Sequence, residues 1–266
     1  MRTWKGWAVM LGVLALATPL VNAQTEPQPN AWDLRQFDQP GQITLYDAPP
    51  GASTTGKPVE IGDFNGNGCG DVAMTGHNAR GAAGQTRILF DLCEGGWGTI
   101  LDAAEPQNFP PGVQMITLLG KEPGDMLGTE VYHADFNGDG YDDLLVSAQN
   151  NDGPDLLRNN GGAAYILFGS ADLPQQTTID LKSPPENLLT IYGADPGDRL
   201  GMWVEGGDFD GDGYPDALIG ANQADGRDNS RANAGEVWVV FGGRICWPRT
   251  APSWTCDRSR MRPPKR

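Results

Sequence analysis

Histidine is almost missing from this chain: His77 and His133 are the two among 266 residues. A His-based zinc site or a Ser-His-Asp triad therefore has very little material to draw on. Positive charge is nearly as scarce in the middle of the chain. Lys and Arg number 19 against 34 Asp and Glu, for a net −15. Arg2 and Lys5 contribute +2 at the start, and seven basic residues against Asp257 contribute +6 from Arg244 onward, so residues 24–243 carry −23. A body this acidic repels nucleic acid and anionic membrane. Helix-length amphipathic patterns are absent, and beyond Leu20 no apolar run approaches the ~20 residues a membrane span needs.

What is present begins with a leader. Arg2 and Lys5 precede an apolar stretch from Trp7 to Leu20, and Val21-Asn22-Ala23 supplies a small-residue cleavage site, the pattern of a secretory signal over 1–23. A linker over 24–42 follows. The product is expected to be secreted, periplasmic or at the cell surface, with no span after cleavage, where calcium is plentiful and disulfides persist. Of four cysteines, Cys69 and Cys93 flank two apolar runs, 71–75 and 86–92. A hairpin across 76–85 that pairs Gly76 with Gln85 sets these cysteines opposite each other within bonding reach. The predicted disulfide is worth about 3 kcal/mol on a chain-entropy estimate. Cys246 and Cys256 lie in the basic tail, and the sequence leaves their pairing open.

One stretch occurs three times with its internal spacing preserved: Asp63–Asp71, Asp135–Asp143 and Asp208–Asp216. Each sets Asp or Asn at positions 1, 3 and 5, glycines at 4 and 6, and Asp at 9. Oxygens from Asp63, Asn65, Asn67 and Asp71, from Asp135, Asn137, Asp139 and Asp143, and from Asp208, Asp210, Asp212 and Asp216 are the candidate ligands of a hard divalent cation. The backbone carbonyls of Cys69, Tyr141 and Tyr214 at position 7 would add one ligand each. An EF-hand needs Glu at position 12 on a helix; position 12 here is Met74, Val146 and Ile219, all inside β-rich runs. Two or three Ca²⁺ sites are expected, with affinity falling from the third loop to the first as carboxylates give way to Asn. The plainer reading is a turn that uses Asp and Asn only for local hydrogen bonds.

The loops belong to a longer repeat. Segments starting at Ile43, Ile116 and Leu189 lie 73 residues apart, each followed by a Pro-Gly turn. Each loop leads into a short apolar run, a Gly/Asn/Asp-rich connection and a second apolar run, 86–90, 163–168 or 236–241. About four strands per period, apolar at successive positions, predict small antiparallel sheets stacked face to face, as in propeller blades. The period divides the chain into copies over 43–115, 116–188 and 189–243, with a basic tail over 244–266 that reads as foreign to the fold and disordered.

These residues resemble the FG-GAP repeats of the integrin alpha-chain N-terminal β-propeller. Leu127-Gly128 through the 135–143 loop into Leu144-Leu145-Val146-Ser147-Ala148 carries the likeness, and Leu200-Gly201 through 208–216 into Ala217-Leu218-Ile219-Gly220-Ala221 repeats it. The first copy departs, with Ala52-Ser53-Thr54-Thr55-Gly56 and one extra residue before its loop. The resemblance implies an all-β fold, a partial β-propeller of about three FG-GAP blades of antiparallel strands, with Ca²⁺ in the loops and recognition on the opposite face. Propellers have about four blades or more, so two accounts stay open: a shortened member of a longer family, or a short protein completing its ring by self-association through open blade edges. The function expected is a non-enzymatic adhesion or ligand-recognition module for a protein or glycan ligand. The alternative is a fragment or relative of a propeller-containing extracellular hydrolase or lyase.

Two connections, Gln149–Gly162 and Asn222–Gly235, are long for hairpins and are the candidate ligand loops. Acid pairs for glycosidase chemistry would have to come from Asp152, Asp155, Asp225 and Asp228, which read more naturally as loop tips. Trp97, Trp203 and Trp238 are expected to fill the interblade core, His133 to pack near its loop, and His77 to be solvated.

Overall fold

A computed structural model describes residues 43–46, 58–93 and 100–243. The expected signal and linker, Trp97, and the tail with Cys246 and Cys256 lie outside the described residues. The first strands are β1 (Thr44–Tyr46), β2 (Val59–Gly62), β3 (Asp71–Thr75), β4 (Gln85–Phe90), β5 (Ile100–Asp102) and β6 (Gln114–Leu119). Then come β7 (Leu127–Ala134), β8 (Asp143–Ala148), β9 (Ala163–Leu167), β10 (Thr178–Asp180) and β11 (Leu188–Tyr192). The last are β12 (Leu200–Gly207), β13 (Asp216–Ala221) and β14 (Glu236–Val240). The α-helix among the described residues is a four-residue turn, Ala79–Ala82, inside the β3–β4 connection.

The fold is all-β, a partial propeller of three antiparallel blades that do not close. Blade 1 is β2-β3-β4-β6, with β10 added in parallel along β6. Blade 2 is β7-β8-β9-β11 and blade 3 is β12-β13-β14. Strand pairing shifts the blade boundaries away from the periods at 43, 116 and 189. The strand that opens each period, β6 or β11, pairs antiparallel with the last strand of the sheet before it, β4 or β9. β1, which opens the first period, pairs in parallel with β5 in a separate two-stranded sheet.

The β3–β4 hairpin forms in the predicted register. Thr75 faces Thr86 and Val72 faces Leu89, Gly76 and Gln85 exchange N–H···O bonds of 2.9 and 3.2 Å, and Cys69 and Cys93 are disulfide-bonded with Cα atoms 5.5 Å apart.

Blades stack through two apolar layers. Between blades 1 and 2, Phe64, Ile88, Phe90 and Ile116 meet Val131, Leu144 and Val146, all buried. Between blades 2 and 3, Phe136, Leu145, Ile166 and Phe168 meet Val204, Ala217 and Ile219. Alternate residues of each central strand point to opposite faces, so a blade packs on both neighbours at once and its sequence shows no polar alternation. Backbone bonds repeat at the same places. Leu127 N–H donates to Ala83 O at 3.0 Å and Leu200 N–H to Gly161 O at 2.9 Å; Ser170 N–H donates to Phe64 O at 3.0 Å and Gly243 N–H to Phe136 O at 2.7 Å. His133 joins the first interface, its Nδ1 2.8 Å from Glu60 Oε2 and its ring stacked on Tyr132. His77 is half-buried rather than solvated.

The tryptophan expectation fails for the two that the structure describes. Trp203 is 62% and Trp238 48% exposed. Trp203 faces Gly220 on the outer side of blade 3, against which no further blade packs among the described residues. Trp238 faces Ile219 on the blade 2 side but lies in β14, which has no strand beyond it among the described residues.

Gly162 shows how closely blades approach. A Cβ there would lie 2.2 Å from Leu200 O and 2.3 Å from Leu200 N, whereas at Gly235, the same place in blade 3, the nearest atom is 3.6 Å away. Both have positive φ, so alanine at either carries a left-handed backbone cost of about 1–2 kcal/mol. Gly162→Ala should lose clearly more stability than Gly235→Ala in denaturant unfolding, and equal losses would mean that the approach to blade 3 is not tight.

Candidate metal centres

Each loop sits between the first and second strands of its blade: β2–β3, β7–β8 and β12–β13. The glycines at positions 4 and 6 have φ between 68° and 97°, which an L side chain adopts only at a cost. This winds the backbone so that its N–H groups point inward at the Asp and Asn oxygens. In the third loop, Asp208 Oδ1 accepts the Asp212 N–H at 3.0 Å and Oδ2 the Gly213 N–H at 3.0 Å. Asp210 Oδ1 also accepts from Asp212, and Asp212 Oδ1 accepts the Tyr214 N–H. The second loop repeats this pattern with Asp135, Asn137 and Asp139, and the first with Asp63, Asn65 and Asn67. Position 12 in every copy lies in a strand, so the loop is not an EF-hand.

Position 9 does more than the sequence reading assigned to it. Asp71, Asp143 and Asp216 are buried, and each grips two backbone N–H groups. One donor is the Phe at position 2: Phe64 at 3.0 Å, Phe136 at 2.9 Å and Phe209 at 2.8 Å, each to Oδ2. The other lies just past the blade's third strand: Asp91 at 3.0 Å, Gly169 at 2.9 Å and Gly242 at 2.8 Å, each to Oδ1. The carboxylate thus ties the loop to the far end of its own sheet. Each oxygen keeps a further lone pair that a cation could use.

Side-chain convergence differs among the copies. Carboxylate oxygens of Asp208, Asp210 and Asp216 lie within 4.8 Å of one another, the one group of three acidic, His or Cys side chains that does so among the described residues. Asp212 is outside that group, as are Asp135, Asp139 and Asp143. In the first loop Cys69 is committed to its disulfide, which leaves its carbonyl as the group available at position 7. Asp91, not anticipated as a site residue, reaches this loop. Its Oδ1 accepts from Asn65 Nδ2 at 3.3 Å and from Asn67 Nδ2. The signal was legible, since Phe90 is followed by Asp where Phe168 and Phe241 are followed by Gly. An acid here partly replaces the charge lost to Asn65 and Asn67.

The acidic pairs in the long connections have local duties. Asp152 Oδ1 accepts the Asn160 N–H at 2.8 Å, Asp155 Oδ1 that of Leu157 at 3.1 Å, and Asp225 Oδ1 that of Asn233 at 2.7 Å. Asp225 and Asp228 also line an open cleft of about 500 Å³ with Asp195, Asp198, Arg227 and Trp238. The connection that builds this cleft leaves the opposite end of β13 from the metal loop.

Comparison with known proteins places the repeat. The FG-GAP repeat model matches residues 127–167 and 200–240. Among curated relatives, phosphatidylinositol-glycan-specific phospholipase D of Bos taurus is 34% identical over 134 residues, covering 50% of this chain and 15% of its own length. The protein of the same name from Homo sapiens is 30% identical over 130 residues, 48% of this chain and 15% of its own length. That of Dictyostelium discoideum is 24% identical over 197 residues, 71% of this chain and 20% of its own length. The chain therefore spans a fifth or less of the relatives it matches here. These relatives are enzymes by name, and that overturns the expectation of a non-enzymatic module.

The electrostatics of the loops yield a pH prediction. Burial, with Asp139 and Asp135 nearby, raises the Asp143 carboxyl to about 8, and burial with Asp91 and Asp63 raises Asp71 to about 6, although backbone N–H bonds pull each the other way. In the unfolded chain both revert to about 3.9. The folded state thus holds protons more tightly, and this contribution to stability is present at low pH and lost as pH rises through the folded values. Thermal unfolding in chelator should show a lower midpoint at pH 8 than at pH 5, and added divalent ion should narrow that gap; a midpoint that is higher at pH 8 would refute the assignment. Asp143→Ala, which orphans two buried N–H groups, should destabilise the metal-free fold by about 2–6 kcal/mol. Asp139→Ala, at an exposed position, should change it little.

Proposed function

This chain carries FG-GAP repeats on a partial β-propeller, and from that premise we propose that it is a fragment or relative of a propeller-containing extracellular hydrolase, exported and loaded with calcium. The observation that carries the reading is the similarity to phospholipases D over half of the chain. Their names identify phosphatidylinositol-glycan as what they act on. Brought to this chain, that makes a glycosylated inositol phospholipid the ligand class. The long connections 149–162 and 222–235, and the cleft beside the second of them, are the surfaces we assign to it.

Calcium would occupy the loops. Asp208, Asp210, Asp212, the Tyr214 carbonyl and Asp216 form an all-oxygen set for a hard cation with flexible geometry, which favours Ca²⁺ over Mg²⁺ and over zinc. The close approach of Asp208, Asp210 and Asp216 fits such an ion. When bound, the ion supplies the positive charge that these carboxylates otherwise lack. The second set is Asp135, Asn137, Asp139, the Tyr141 carbonyl and Asp143. The first is Asp63, Asn65, Asn67, the Cys69 carbonyl and Asp71, with Asp91 beside it. The third loop is expected to bind most tightly. Export follows from the leader, and no helix among the described residues is long and apolar enough to cross a membrane.

Two measurements test the reading. Calorimetric titration of the purified chain with Ca²⁺ should reveal two or three sites, each stabilising the fold by about 2.7 kcal/mol at a hundredfold excess over its dissociation constant. Asp208→Asn with Asp216→Asn should remove the tightest. Vesicles displaying phosphatidylinositol-glycan should retain the chain in Ca²⁺ and release it in chelator, unlike vesicles of phosphatidylinositol alone, with any cleavage of the glycan-lipid followed in the same samples. Equal retention on both vesicles, or none on either without cleavage, would defeat the assignment.

A further inference from the structure

Among the described residues, blade 3 has three strands where blades 1 and 2 have a fourth. In blade 1 that strand is β6 on β4, and in blade 2 it is β11 on β9. At the other end of the chain β1 is such a fourth strand without a blade. It opens the first 73-residue period as β6 and β11 open the second and third. It has β5 along it in parallel, as β6 has β10. Leu45 packs against Met74, Leu89 and Leu101 on the near side of blade 1, where the outer strand of a preceding blade would lie. Among the described residues, β5 is its one strand neighbour.

We propose that β1 of one copy completes blade 3 of a second copy, so that the chain associates head to tail through the contact it already uses twice internally. The register follows from the existing pairs. Ile191 faces Ala164 and Leu189 faces Ile166 in blade 2, while Leu118 faces Thr86 and Ile116 faces Ile88 in blade 1. By the same spacing Leu45 faces Val237 and Ile43 faces Val239.

The apolar faces agree. Phe64, Ile88 and Phe90, and likewise Phe136, Ile166 and Phe168, are buried by the next blade, yet at the same three places in blade 3 Phe209 is 66% exposed, Val239 half-buried and Phe241 exposed. On the receiving side Val131 and Val204 are buried by the blade before them, whereas Val59, at their position in blade 1, is 57% exposed. The acceptor carbonyl recurs too: Phe64 O and Phe136 O each take an N–H two residues past the next blade's closing Phe, and Phe209 O would take that of Leu92. Because the two faces differ, the contact is heterologous and grows into a ring if the rotation closes.

Complementation tests this directly. By sedimentation in Ca²⁺, the mass of the purified chain should at least double as concentration rises. Val237→Asp spoils only the blade 3 side and Val59→Asp only the blade 1 side, so each alone should be monomeric. Mixed in equal amounts they should form dimers and stop there, since each keeps one intact face. Circular dichroism checks that both variants fold. Should either fail, mixing Ile43→Cys with Val239→Cys chains should give an intermolecular disulfide joining those two peptides, and Ile43→Cys with Trp238→Cys, whose side chain points to the other face, should not. Self-association of Val59→Asp at wild-type strength would show a symmetric contact through blade 3 alone and overturn the proposal. So would a wild-type chain that stays monomeric at every concentration, which would leave the face to another kind of partner.

Discussion

A buried aspartate that grips two backbone N–H groups from opposite ends of one small sheet is the contact on which each blade depends. Asp71, Asp143 and Asp216 fix the start of a Gly-rich loop to the end of the third strand, so the loop cannot swing away without orphaning buried donors. The grip carries a cost. Holding an ionised carboxylate out of water beside further acids is unfavourable, and the raised values at Asp143 and Asp71 register it. The same residues therefore serve as structural clamps and as groups that gain from a nearby positive charge. The hydrogen bonds of an Asx turn and the oxygens that a cation would need are thus compatible in one loop.

The second constraint is that a blade has two apolar faces. Central strands such as β8, buried along their whole length, need a neighbour on each side. Blade 2 has both. Among the described residues, blade 1 has one blade and the partial cover of β1 and β5, and blade 3 has one blade and an open side. That asymmetry explains why Phe136 is buried while Phe209 is exposed, although both occupy the same place in the same motif.

The relatives alter the functional setting without altering the physics of the scaffold. A propeller holds loops rigidly at both ends of its strands. In this chain one end gathers acids suited to a cation, and the other carries long connections around a cleft. A hydrolase can use such a piece as readily as an adhesion protein can, because the fold specifies where ligands dock and not what is done to them.

Much was legible from the residues because the signals were local and repeated. Loop spacing, the apolar runs after each loop, the hairpin register that brings Cys69 to Cys93, and the 73-residue period follow from turn chemistry and side-chain alternation alone, and the structure keeps all of them. The sequence could not reveal that β6 and β11 close the preceding sheet, since a period has no marked origin and only hydrogen-bond partners choose one. Nor could it predict the exposure of Trp203 and Trp238, which depends on whether a neighbouring blade covers the first and a further strand flanks the second. The double grip of the ninth-position aspartates was hidden for a similar reason: its second donor lies 20 or 26 residues away and becomes adjacent only when the third strand folds back. Chain order thus determined the loops and strands of this protein, while tertiary contact decided which strand belongs to which blade and which apolar face is left open, because pairing and burial are properties of neighbours in space.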